Sequence, residues 1–221
     1  MIHLVKKDLL IQRKSFLFLL FIGLFIFIIY NNPMFDAFIY IMGSLMIVYI
    51  FLITANSEDE RNKCDIMLNS LPITRRDIVL AKYLTIPVYI LISFVGFSIL
   101  AAVFKLPFIP ITPRFPNGID ILVTVLMVGL FVDIYLPLYF RFGVAALRLF
   151  QVIFLLAFFF IPNTLFEYAM ANPDKPAVQF VQQLFTEQTI VVQTLVIFGL
   201  ILIIFLISYF ISVKIYRAKE F

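Results

Sequence analysis

Most of this chain carries no charge at all. Tyr83–Phe104 runs 22 residues without an Asp, Glu, Lys or Arg, and the runs that follow Lys14 and Glu187 are similar. Hydrocarbon offers the backbone no hydrogen bonds, so a run of this kind must satisfy its amides internally, as a helix or as part of a closed barrel. These runs are longer than barrel strands and do not alternate apolar with polar residues, which leaves helices. A soluble domain carries roughly a quarter charged residues; this one has 14%, with a mean hydropathy of +1.08. The expected fold class is an all-α integral membrane protein, one transmembrane domain over residues 1–221.

A spanning helix needs about 20 apolar residues, and on that measure the spans are expected at about 15–32, 34–54, 83–104, 119–140, 146–162 and 189–213. Pro33 marks a tight turn between the first two and Pro162 closes the fifth. Residues 1–14, with Lys6, Lys7, Arg13 and Lys14 and an imperfect stripe of Ile2, Val5 and Leu9, read as an interfacial helix. Between the third and fourth spans, Pro107, Pro110, Pro113 and Pro116 predict an extended loop. Residues 163–188 are expected to form an external loop with a short helix. Asp174 caps it, Pro176 lies in its first turn, and Ala177, Phe180, Val181 and Leu184 recur at helical spacing. The layout is compatible with an inverted three-plus-three repeat, though no residue-level repeat supports it.

Fourteen of the seventeen Lys and Arg residues fall on one side of this layout. The positive-inside rule places that side, and both termini, in the cytoplasm. The net charge of +4 is then topogenic, with some attraction to anionic lipid, and gives no reason to expect nucleic-acid binding. No cleavable signal peptide is apparent, the single cysteine (Cys64) excludes an intrachain disulfide, and the single histidine (His3) leaves no imidazole base in the membrane.

One long charged interruption remains, Asn56 to Tyr83. Ser57 and Glu60 have capping-box spacing, with Glu58, Asp59 and Glu60 in the first turn where the helix dipole favours acids. Cys64, Met67, Leu68 and Leu71 then repeat along one face. This predicts an amphipathic helix over 57–71, stopped by Pro72. A second start follows, with Thr74 and Asp77 as its capping box, Ile73 and Ile78 as a hydrophobic staple, and Arg75, Arg76 and Lys82 on the helix that leads into the third span.

Inside the membrane, Asp133 is the one acid well within a span, so it should face the bundle interior or a cavity. Pro137 removes the amide that would bond the Asp133 carbonyl, and a kink is expected there, as part of a path or hinge. A buried acid paired with a nearby Arg, Tyr or Ser is the plainer reading. Asp36 and Asp120 sit at span ends, and Ser93, Gly96, Gly129 and Gly199 offer close helix approach. The sequence has no HExxH, GxSxG or GxxxxGK[ST], so it carries none of those catalytic signatures and no P-loop of its own.

The runs EDERNKCDIMLNSLPITRRDIVLAKYL (Glu58–Leu84) and DIYLPLYFRFGVAALR (Asp133–Arg148) resemble the small type-2 permeases of bacterial ATP-binding-cassette exporters. The resemblance implies a permease in the bacterial cytoplasmic membrane that pairs with a second permease chain, itself or a sister. Two copies of a separate ATPase would bind ATP and Mg. Residues 57–71 would be the coupling helix. It implies Glu58, Asp59, Glu60, Arg61 and Lys63 as polar contacts to the ATPase, Met67, Leu68 and Leu71 as apolar packing, and Arg75 and Arg76 against the ATPase or lipid phosphates. Cargo would be amphipathic peptides or similar hydrophobic molecules. The alternative is an ion-coupled secondary transporter or channel using Asp133.

Overall fold

A computed structural model describes residues 2–12, 15–29, 36–70, 72–105, 115–173, 175–176, 178–179 and 190–219. Every regular element among them is helical: α1 (Ile2–Ile11), α2 (Phe16–Ile29), α3 (Asp36–Arg61), α4 (Cys64–Ser70), α5 (Arg75–Phe104), α6 (Gly118–Ala171) and α7 (Ile190–Ala218). Among the described residues four segments are long and apolar enough to cross a membrane, Ile39–Arg61, Arg75–Phe104, Gly118–Leu147 and Phe198–Ala218, and the bent pair His3–Ile11 with Phe16–Ile26 makes five if it counts as one span. Six crossings were expected. The first run forms α2, described over 14 residues up to Ile29 and bent by 62° from α1. The fifth continues α6 beyond a break at Gly143. The turn expected at Pro33, the proline-rich stretch 106–114, and Asp174, Ala177, Phe180, Val181 and Leu184 of the external helix lie outside the described residues.

The helix over 57–71 is not one helix. Ser57 lies inside α3, which continues through Arg61, so no capping box forms there. The chain breaks at Lys63, whose φ of 50° lies in the left-handed region, and α4 starts afresh at Cys64. The apolar face of α3 packs into the bundle and extends the span by two turns. That packing outweighs a local start signal. The second start signal does hold. Thr74 is extended (φ −78°, ψ 148°), its Oγ1 accepts from the Asp77 amide, and its own amide donates to Asp77 Oδ2 at 3.3 Å. Ile78 is buried, and Ile73 packs against the same core.

α3 lies at the centre, packed against α5 and the first part of α6; α7 covers α5 and α6, and α1 and α2 lie on α3 and α5. Gly43 lets Phe97 of α5 lie against α3, where a Cβ would meet the ring at 2.1 Å. Gly96 admits Leu19 in the same way, whereas Gly129 and Gly199 leave room to spare. An aromatic file of Phe131, Tyr135 and Tyr139 on α6 fills the interior, with Tyr49 of α3 on Phe131 at 5.6 Å between centroids.

The backbone dihedrals stay helical at Pro137. Inside α6 the one residue with non-helical dihedrals is Gly143 (φ 77°, ψ 176°). Pro137 still leaves the Asp133 carbonyl without its helical donor, and the Ser208 hydroxyl of α7 supplies a replacement at 2.7 Å. With that acceptor satisfied, the helix passes the proline.

Candidate functional site

The basic segments of the chain converge on one end of the bundle. Here α1, the α3–α4 turn, the start of α5, the Gly143 break and the end of α7 meet. Four charged side chains close a ring within this end. Lys82 Nζ lies 2.6 Å from Asp59 Oδ2 and 3.2 Å from Asp8 Oδ2; Lys7 Nζ lies 2.5 Å from Asp59 Oδ1 and 3.1 Å from Asp8 Oδ1. Asp8, Asp59 and Lys82 are buried. Two cations against two anions make the ring formally neutral, which is the condition for burying it. It ties α1, α3 and α5 together. Gln12, one turn beyond Asp8, donates to the Phe51 carbonyl at 2.6 Å. The inward face of α1 is therefore polar (Asp8, Gln12), with Val5 and Leu9 only half-buried.

The three consecutive acids of α3 have three different tasks. All sit in its last turns, where the helix dipole disfavours negative charge, and each has compensation. Asp59 is in the ring. Glu60 reaches to the broken α6 and accepts from the Val144 amide at 2.6 Å, placing a carboxylate at the start of the helix that follows Gly143. Gly143 passes beside it; a Cβ there would lie 3.2 Å from Glu60 Oε1, and its φ favours glycine. Glu58 faces outward beside Arg61 and Asn62, at 3.8 and 3.3 Å.

α4 is fixed on one side and open on the other. Asp65 Oδ1 accepts from the Tyr216 hydroxyl at 3.1 Å, Lys219 Nζ is 3.6 Å from Asp65 Oδ2, and Asn69 donates to Tyr216 Oη at 3.3 Å. Leu68 is buried beneath. On the opposite side Ile66 and Met67 are 56% and 61% exposed, large values for apolar side chains on a short helix. Arg75 couples the next helix to the same place, donating to the carbonyls of Arg217 and Lys219 at 2.7 and 3.0 Å at the end of α7. Cys64, at the start of α4, is half-buried; burial, and next the Asp59 carboxylate, push its thiol above the ordinary thiol range.

A second polar chain lies deeper. Ser208 donates to the Asp133 carbonyl, the Tyr83 hydroxyl lies 2.7 Å from Ser208 Oγ, and Ser212 Oγ lies 2.9 Å from the same hydroxyl. Since the Ser208 proton points at the carbonyl, Tyr83 donates to Ser208 and Ser212 donates to Tyr83. The Asp133 side chain is buried, and its Oδ1 has no hydrogen-bond partner.

The residues singled out in the sequence thus divide. Glu58, Arg61, Lys63, Met67 and Arg76 face outward at this end. Asp59 is turned inward and paired with Lys7 and Lys82, which removes it as an outward contact. Glu60 and Arg75 hold other helices of the same chain, Leu68 is core, and Leu71 lies outside the described residues. Lys7, Asp8 and Lys82 were not anticipated as a unit. A faint signal existed: Asp8 and Gln12 share a face in a segment otherwise basic or apolar, and Lys82 is the last charge before a long uncharged run.

The helical fold agrees with what comparison finds. No curated protein and no solved structure matches the chain. A family model described as ABC-2 family transporter protein matches residues 3–217, from α1 through the last turn of α7. The match takes in the break at Lys63, α4, the Gly143 break and every candidate span, so this chain is a multi-pass membrane component, without the ATPase itself, that belongs to the ABC-2 transporter family.

Proposed function

We propose that this chain is the permease subunit of an ATP-binding-cassette exporter, and that α4 with the Arg61–Lys63 turn is the surface on which a separate ATPase bears. One observation carries the reading. α4 presents Ile66 and Met67 outward while Asp65, Leu68 and Asn69 bind its other side to α7 and the core. Force on such a helix passes into α7, and through Arg75 into α5, instead of being absorbed by a loose loop. Glu58, Arg61 and Lys63 form the polar surround. The basic end and both termini face the cytoplasm of a bacterial cell, as the charge bias requires. ATP and Mg belong to the partner, in two copies, and a second permease chain, identical or a sister, completes the path. The cargo class that suits a chain with 28 Phe residues is an amphipathic peptide or a similarly hydrophobic molecule. An ion-coupled transporter acting through Asp133 is favoured by a single feature, the unpartnered Oδ1; such a protein would work with no ATPase.

The test is the double variant Ile66→Glu, Met67→Glu. Both side chains are exposed, so thermal stability in detergent should be unchanged. The ATPase should no longer co-purify, and permease-stimulated ATP hydrolysis should fall at least about tenfold, since two apolar contacts of about 1 kcal/mol each are replaced by charge. Full co-purification with full stimulation would remove α4 from the interface.

A further inference from the structure

At the basic end, between the start of α5 and the last turns of α7, lies a groove of about 550 Å³. Arg76 of α5 and Lys214 and Arg217 of α7 stand around it, and Tyr209, Phe210 and Val213 form its floor. None of the three cations has an acidic partner among the described residues. That separates them from Lys7, Lys82 and Lys219, each of which faces a carboxylate. The groove does not end at its polar rim. Ile203, Leu206, Ile207 and Phe210 continue from Lys214 and Arg217 along one face of α7 at steps of three and four residues, and all four are exposed. Only 17% of the crossing part of α7 is buried, against 67% for α3.

We infer that this groove is a binding site for an anionic phospholipid, with its phosphate held by Arg76, Lys214 and Arg217 and its acyl chains laid along Ile203, Leu206 and Phe210. Charge complementarity and shape both point to this occupant. A soluble anion would use the cations but not the apolar strip. A second copy of the chain meeting this face about a two-fold axis would set Lys214 and Arg217 against their own like charges. A lipid uses both halves at once, and the cations sit at the end of a spanning helix, at headgroup depth. The inference is independent of the ATPase reading.

The experiment measures retention of lipid by the purified full chain, in its complex where one forms, after delipidation and reloading from vesicles of phosphatidylglycerol or of phosphatidylcholine. Mass spectrometry counts bound lipid. Phosphatidylglycerol should be retained and phosphatidylcholine lost. The triple variant Arg76→Gln, Lys214→Gln, Arg217→Gln should bind phosphatidylglycerol on the order of a hundredfold more weakly, at about fivefold per cation near a membrane surface. A control of equal charge, Lys6→Gln, Lys105→Gln, Lys175→Gln, should keep it. All six side chains are exposed, and melting temperature verifies that both variants fold. Equal retention of the two lipids, equal loss in both variants, or displacement by glycerol phosphate alone would overturn the site. So would a Phe210→Cys chain that crosslinks to a second copy of itself in the membrane.

Discussion

Two polar clusters hold this bundle, and they are built on different principles. The ring of Lys7, Asp8, Asp59 and Lys82 at the basic end uses full charges. The chain from Ser212 through Tyr83 and Ser208 to the Asp133 carbonyl uses neutral groups only, and it sits deeper along α6 and α7. Depth explains the difference. A charge near a span end has water within a turn or two and tolerates burial when it is paired; farther in, each charge costs several kcal/mol and a hydroxyl costs much less. Their consequences differ as well. The ring fixes three helices relative to one another and fails if one member is lost. The hydroxyl chain mends a defect that Pro137 creates within one helix.

Breaking the ring should have the largest effect. Asp59→Ala leaves Lys82 buried against a single acid and Lys7 without its shortest contact, and should cost about 3–5 kcal/mol. The signal is a large drop in melting temperature in detergent, or loss of folded protein. The double variant Asp59→Ala, Lys82→Met removes the stranded cation together with its partner and should recover most of the loss. If the two single substitutions simply add, the ring is not a coupled unit, and the contrast with the hydroxyl chain disappears.

The hydroxyl chain should yield less. Hydrogen bonds between helices in a membrane average about 0.6 kcal/mol. Ser208→Ala leaves the Asp133 carbonyl without a donor and should cost about 1 kcal/mol, at the upper part of that scale, because no neighbouring amide replaces it. Restoring the amide with Pro137→Ala should make Ser208→Ala nearly silent. The coupling is read from melting temperatures of the four proteins in one cycle. An undiminished Ser208→Ala effect in the Pro137→Ala background would show that Ser208 acts through Tyr83 instead.

The sequence revealed what depends on local or statistical physics. Apolar runs gave the helices, and the Thr74–Asp77 box gave the start of α5, because nothing tertiary competes with either signal. It misplaced what distant contacts decide. Ser57–Glu60 has the spacing of a helix start, yet the packed face of α3 carries the helix through it. Pro137 is a breaker by its chemistry, but Ser208, 71 positions away, supplies the missing donor, and the break falls at Gly143, where Glu60 caps the new helix. Around the α3–α4 turn, Glu58, Arg61 and Lys63 were legible as outward charges. Asp59 was not, since its partners Lys7 and Lys82 lie 52 and 23 positions off. A run of three acids gave no hint that each would meet a different partner.

The smallest effect reads the ring from outside, at a neighbouring thiol. Cys64 is the first residue of α4, and its thiol is pushed up by burial and by the nearby Asp59 carboxylate. A raised thiol pKa means less thiolate at any given pH. Alkylation by a small water-soluble maleimide at neutral pH should therefore be slower than for glutathione, and the rate should keep rising with pH after that of an ordinary thiol has levelled off. Asp59→Asn together with Lys82→Met removes the nearby negative charge and keeps the ring neutral; it should shift the rate profile toward lower pH and accelerate labelling at neutral pH. Labelling as fast as glutathione in the unaltered chain would mean that the ring is open in solution. Cys64 would then report when the charged end of the bundle comes apart.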